Sequence, residues 1–166
     1  LVGSEMCIRD SNIHIPPEVT ALIAEYAHVI DGGRYEEWPD LFSDPCLYQI
    51  TTRENVDRNL PLSIILCDSH GMLLDRVVSI RTANVFVPHT YRLIVSCLQL
   101  LEAGEVDWRV RSNYLVTRTM PDGTMSVFST GEYRDHIVMV NDTPRFKERV
   151  VICDHSMINN LIALPL

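Results

Sequence analysis

Apolar residues recur at steps of three and four between Pro16 and Gly33: Val19, Leu22, Ile23, Tyr26, Ala27 and Ile30 form one helical stripe. Pro16-Pro17 supplies a start, and Glu18 suits the positive end of the helix dipole. Asp31-Gly32-Gly33 supplies the stop, because glycine accepts the left-handed conformation of a C-terminal cap. Fully burying four such large side chains contributes about 6–12 kcal/mol before entropy, so this helix must lie on something. Arg34 to Phe42 predicts a short second helix, with Tyr35, Trp38, Leu41 and Phe42 on one side. Pro39 should kink it or open a new turn. Residues 46–51 alternate as a first strand. Ser69 is placed to cap a third helix through Arg81, with Met72, Leu73, Arg76, Val77 and Ile80 at helical spacing.

The second half changes period. His89–Leu101, Val106–Thr119, Met125–Val140 and Arg145–Asp154 are long runs rich in β-branched and aromatic residues. Pro121-Asp122-Gly123 and Asn141-Asp142 are natural reversals between them. Strands of this length need bulges and strong curvature, and Gly131 is a candidate bulge. Helices followed by long antiparallel strands make an α+β layout. With no internal repeat, low-complexity tract or linker, residues 13–166 are expected to form one domain. Residues 1–12 are expected to be a non-native or disordered leader. Their opening, Leu-Val-Gly-Ser-Glu-Met-Cys-Ile-Arg-Asp-Ser, resembles translated adapter sequence and has no apolar core of a secretory signal.

Composition narrows the function classes. The chain has 166 residues, 46% hydrophobic and 22% charged, as a globular protein does. A net charge of −8 argues against nucleic acid and against an anionic membrane surface as partners. Leu60 to Cys67, among the longest apolar runs, is far shorter than the roughly 20 residues that span a bilayer. Cys7, Cys46, Cys67, Cys97 and Cys153 are scattered and contain no C-x-x-C, as reduced thiols in a cytoplasmic protein would be.

Cys67-Asp68-Ser69-His70 and Cys153-Asp154-His155 are the two half-motifs of a Rieske centre, C-x-x-H and C-x-H. Their order is reversed, the cysteines are far apart, and the glycine-rich flanks are missing. Ordinary buried thiols beside surface histidines account for them better. His14, His28, His70, His89, His136 and His155 are too dispersed for a helical metal pair, although distant histidines can still converge. No G-x-G-x-x-G, G-K-[ST] or G-x-S-x-G occurs. Arginine placement is more suggestive. Arg109 and Arg111 fall on one face of the Val106–Thr119 strand and Arg118 on the other, while Arg145 and Arg149 lie on a later strand. Carboxylates across an interface and ion pairs within one sheet explain this pattern equally well.

Several segments, taken in order, resemble the small (β) subunits of aromatic-ring-hydroxylating dioxygenases. They are Tyr26-Ala27 through Tyr35-Glu36-Glu37-Trp38-Pro39-Asp40-Leu41-Phe42; Asp75-Arg76; Val110-Arg111-Ser112-Asn113-Tyr114-Leu115-Val116-Thr117-Arg118; Gly131-Glu132-Tyr133-Arg134-Asp135; and Glu148-Arg149-Val150-Val151-Ile152-Cys153-Asp154. The terminal Ala163-Leu164-Pro165-Leu166 is most similar to the terephthalate branch of that family. Pro144-Arg145-Phe146 departs from the family's usual Trp-Arg-Ile. The resemblance implies the cone-like fold of nuclear transport factor 2 and ketosteroid isomerase: three N-terminal helices on a long, curved, antiparallel-rich sheet. It also implies a non-catalytic assembly subunit. The 2Fe–2S Rieske cluster and the mononuclear iron would sit in a partner α subunit, with electrons from NAD(P)H through a reductase. No catalytic, cofactor or metal residue is then assigned to this chain. It would join the α subunit as three α and three β chains, self-associating around a three-fold axis, in cis-dihydroxylation of terephthalate or a related aromatic carboxylate. Arg111, Arg118 and Arg149 are the candidate interface residues. The rivals are a free-standing isomerase or dehydratase using the cone as a pocket, and a homo-oligomeric binding module.

Overall fold

The computed structural model describes residues 14–82, 89–155 and 165–166, so the expected leader lies outside the described residues. Helix α1 spans Pro17–Asp31 and buries Val19, Leu22, Ile23, Tyr26, Val29 and Ile30. It ends where the Arg34 N–H reaches the Val29 carbonyl and the Gly33 N–H reaches that of Ile30. Gly33 carries φ +64°, the left-handed step this closure requires.

The helix expected over Arg34–Phe42 is instead two 3₁₀ turns, Tyr35–Glu37 and Pro39–Leu41. Pro39 has no N–H with which to continue the first turn, so it opens the second. Phe42 already belongs to β1, Phe42–Thr52, which is longer than the expected strand. Thr52 then caps a five-residue helix, α2 (Arg53–Asp57), by accepting the Asn55 N–H at 3.2 Å. Strand β2, Ile65–Cys67, follows. Neither was expected, because neither is long enough to display a period. Helix α3 is His70–Thr82, and the Ser69 hydroxyl accepts the Met72 N–H at its start.

The remaining strands match the long β-branched runs: β3 (Thr90–Ala103), β4 (Asp107–Thr119), β5 (Met125–Val140) and β6 (Thr143–Cys153). The sheet order is β2-β1-β6-β5-β4-β3, antiparallel except for the parallel β1–β6 pair. Register shifts between Ser96 and Gln99, Val116 and Thr117, and His136 and Ile137 curve it round α1 into the expected α+β cone. Gly131 is not a bulge. The β4–β5 ladder runs through it unbroken opposite Tyr114, and the β5–β6 ladder ends on it opposite Cys153. Glycine is needed there because a Cβ would stand 2.0 Å from the Ile152 carbonyl oxygen.

The inner face carries one continuous row across all six strands: Cys67, Tyr48, Arg149, Asp135, Val110 and Leu100. Trp38, Tyr26, Tyr133, Phe146 and Leu166 pack into the same core. Ile23→Ala, inside that core, is expected to cost about 2–5 kcal/mol in urea unfolding. Gly131→Ala is expected to cost about 1–3 kcal/mol by overpacking, although it adds only a methyl group. Wild-type midpoints in either variant would contradict this packing.

Candidate interface on the outer sheet face

Strand alternation sorts the arginines by face. On β4, Trp108, Val110, Ser112 and Tyr114 are buried on the inner side, while Arg109, Arg111 and Asn113 are exposed on the outer side. Arg118 shares the inner parity. It is half-buried, with its guanidinium carbon 5.7 Å from the Phe128 ring centroid. Arg145, at the start of β6, donates to the Asp40 carbonyl.

Arg149 lies in the middle of the cone. Its Nε and Nη2 donate to the two Asp135 carboxylate oxygens, each at 2.8 Å, and both side chains are 0% exposed. The ring centroids of Tyr26, Phe146 and Tyr133 stand 3.9, 4.1 and 4.3 Å from its guanidinium carbon. Burial alone would loosen its proton, but the Asp135 charge and hydrogen bonds outweigh burial and hold it above the ordinary arginine value. Phe146 therefore forms one wall of an aromatic cage. Arg149 offers no surface to a neighbour in this chain. Its contribution to any interface runs through the shape of the sheet.

The outer face is a lattice of charge. Arg109 reaches Glu102 at 3.4 Å and Glu148 at 3.7 Å. The His136 Nε2 lies 3.2 Å from Asp107, and its Nδ1 lies 3.9 Å from Glu148. Glu132, 11% exposed at its side chain, is held by Arg134 at 2.8 Å and by Arg53 of α2 at 3.3 Å. Burial raises the Glu132 pKa, but these two guanidiniums outweigh it and hold the carboxyl below the usual range. A pocket of about 230 Å³ opens beside Gly131, lined by Arg53, Asn113, Glu132 and Asp154.

Arg111 is the exception in this lattice. It stands directly opposite Arg134 across the β4–β5 ladder, and like charges so placed repel. Arg134 turns to Glu132, and among the described residues Arg111 forms no ion pair. Sequence reasoning singled out Arg111 but missed Arg134, Asp135 and His136. Asp135 carried a readable signal, a carboxylate at the inward parity of Tyr133 and Ile137.

The two Rieske-like half-motifs do not converge. Cys67 sits opposite Tyr48 on one side of β1, and Cys153 opposite Thr52 on the other, offset by roughly 13 Å along the strand. The Cys153 thiol accepts the Tyr114 hydroxyl at 3.2 Å, and burial pushes its pKa up, away from the thiolate a metal needs. Among the described residues, no His/Cys/Asp/Glu group is placed to hold a metal ion.

The family described as "Ring hydroxylating beta subunit" matches residues 25–160. The anthranilate 1,2-dioxygenase small subunit of Burkholderia cepacia is 39% identical over 151 residues, covering 90% of this chain and 92% of that one. The beta 2 subunit of the terephthalate 1,2-dioxygenase terminal oxygenase component from a Comamonas species is 34% identical over 149 residues, covering 90% and 97%. Among solved structures, a chain described as the beta subunit of an aromatic-ring-hydroxylating dioxygenase from Novosphingobium aromaticivorans superposes with TM-score 0.82. It is 36% identical, with 90% of this chain and 95% of that chain covered.

Two outcomes follow from the site geometry. Arg149→Met strands the Asp135 carboxylate in an aromatic interior and should cost about 3–5 kcal/mol in chemical unfolding. Adding Asp135→Leu should recover much of that loss, and a double variant no better than the single would refute the pairing. Glu132 has a folded pKa below its unfolded one. Its stabilisation is therefore complete above about pH 4.5 and is lost as pH falls through the lower folded value. Glu132→Gln should flatten the slope of Tm against pH below that point, and an unchanged slope would refute the assignment.

Proposed function

The chain belongs to the ring-hydroxylating beta-subunit family, and from that premise we propose that it is the assembly subunit of an oxygenase acting on an aromatic carboxylate. Dioxygenase small subunits pair with large α subunits. In this reading the large subunit carries the Rieske cluster and the iron, the two chains combine as three α and three β around a three-fold axis, and the complex works in the cytoplasm. The names of the two relatives support an aromatic acid, since anthranilate and terephthalate share a ring carboxylate. Terephthalate, or a benzoate-type acid close to it, is the substrate class proposed.

The observation that carries the assembly role is the opposition of Arg111 and Arg134 on the exposed sheet face. Within the isolated chain this arrangement is unfavourable, and a carboxylate from a neighbouring subunit would neutralise it. Desolvated arginine–carboxylate pairs of this kind lose several kcal/mol when one partner is removed. Arg118 remains a second candidate on the other face. Arg149 belongs with them only through the sheet geometry it fixes.

The test is co-expression with a dioxygenase large subunit. Arg111→Ala should reduce the large subunit recovered with the tagged small subunit at least several-fold. The isolated variant should meanwhile keep or slightly raise its Tm, because the repulsion with Arg134 is relieved. Wild-type recovery and a normal hexamer by light scattering would remove Arg111 from the interface.

A further inference from the structure

Arg118 is a second arginine without an acid. It is half-buried at the rim of the inner sheet face, where the buried Leu93 and Val116 give way to Tyr91, Arg118 and Phe128. Among the described residues it forms no ion pair, and its Nε, closed to solvent, has no hydrogen-bond acceptor. The carboxylates of neighbouring elements go to other partners. Asp31 holds Arg92 and the Leu93 N–H, and Glu36 holds Arg81. Residues 83–88 and 156–164, outside the described residues, contain no Asp or Glu. Among the described residues, a chain with eight excess negative charges thus leaves a partly desolvated cation without a counter-charge.

The surroundings suit a flat apolar group. Tyr91 stands directly opposite Arg118 across the β3–β4 ladder. Phe128 is the extra residue at the β4–β5 register shift, since Val116 faces Ser129 and Thr117 faces Val127. Such a bulge re-aims a side chain, and here Phe128 packs against the core while Val127 is exposed. The Phe128 ring centroid lies 4.8 Å from that of Tyr91 and 5.7 Å from the Arg118 guanidinium carbon. The His89 ring packs against Tyr91 at 4.5 Å. Burial pushes the Tyr91 phenol up to about 12 against the pull of the Arg118 charge, so the hydroxyl stays a neutral donor near the guanidinium. Strands β3, β4 and β5 thus bring a planar cation, a phenolic donor and two half-buried rings to one place.

We infer that the Arg118 rim is a binding site for a monocarboxylate carried on an aromatic ring. The guanidinium fork takes the carboxylate oxygens, the Tyr91 hydroxyl offers a further donor, and the ligand ring lies against Phe128. One unpaired cation matches one negative charge, whereas a phosphate dianion would leave a charge unmet. The half-burial of Arg118 among rings favours a free aromatic acid over an acidic side chain, which brings no ring of its own. The inference does not depend on the assembly role of Arg111, and it competes with an interface role for Arg118 alone.

The experiment titrates benzoate into the isolated full chain by calorimetry, with benzamide and acetate as comparison ligands. Benzoate should bind saturably and raise Tm, and both comparison ligands should bind at least ten-fold more weakly. Arg118→Gln should weaken benzoate at least ten-fold, while Arg58→Gln, at an exposed arginine just past α2, should leave it unchanged. Phe128→Leu keeps the charge and should still weaken benzoate several-fold, which decides the matter if Arg118→Gln does not fold. The inference is overturned by no saturable benzoate binding to the folded wild-type chain, or by benzamide or acetate binding as well as benzoate. It is equally overturned by wild-type benzoate affinity in a folded Arg118→Gln or Phe128→Leu variant. Absent benzoate binding together with loss of large-subunit recovery in Arg118→Gln would assign the site to an acidic side chain of a neighbouring subunit instead.

Discussion

The buried pair of Arg149 and Asp135 is the constraint on which the rest of the structure depends. Removing two ions from water costs several kcal/mol each, and only good geometry with further polar or π contacts offsets it. Here the geometry is a bidentate fork between direct cross-strand partners, closed by the rings of Tyr26, Tyr133 and Phe146. The pair sits in the row that runs through every strand from Cys67 to Leu100. A one-residue slip of β5 on β6 would turn one of the two charges outward and leave the other alone in the core. The pair thus acts as a register pin for the whole sheet, and Tyr26 ties α1 to the same point.

Once the interior is organised in this way, little of it is left open to solvent. Arg149, the aromatic cluster and Leu166 occupy the middle of the cone. The exposed edge is guarded too. On β3 the Leu93 N–H is taken by the Asp31 carboxylate at 2.8 Å, and the left-handed Cys97 interrupts the strand. Such devices discourage an edge strand from pairing with another chain. What remains exposed on the outer face of the sheet includes Arg109, Arg111 and Arg134, on neighbouring strands.

The fold was largely legible in the sequence because its main elements are long enough to show a period. The α1 stripe and its Gly33 stop, the α3 cap at Ser69, and the four long strands all appear where the residue pattern placed them. The failures were local. A single proline divided the expected second helix, and α2 and β2 were too short to have a pattern of their own. Gly131 looked like a bulge because a strand glycine has two common uses, and only the approach of the Ile152 carbonyl tells them apart. The site was less legible. Alternation could separate Arg111 from Arg118, but it could not show that Arg149 faces Asp135, since that requires knowing which strands pair and in what register. Arg53 reaches Glu132 only because the unpredicted α2 carries it there.

The contrast between the two faces is itself an argument about function. Natural sequences tend to make each local choice agree with the fold, and local conflicts concentrate where another requirement intervenes. Inside the cone the charges agree: the most expensive cation has a matched carboxylate and three rings. Outside, a chain with eight excess negative charges places Arg111 opposite Arg134, although carboxylates are plentiful. Glu132 is held by Arg134 and Arg53, and Arg111 has no ion pair with it. A strand selected only for the stability of this chain would gain by replacing Arg111 with almost any neutral residue. The proposed interface would account for it, since a carboxylate brought by a neighbouring chain would neutralise a cation kept there.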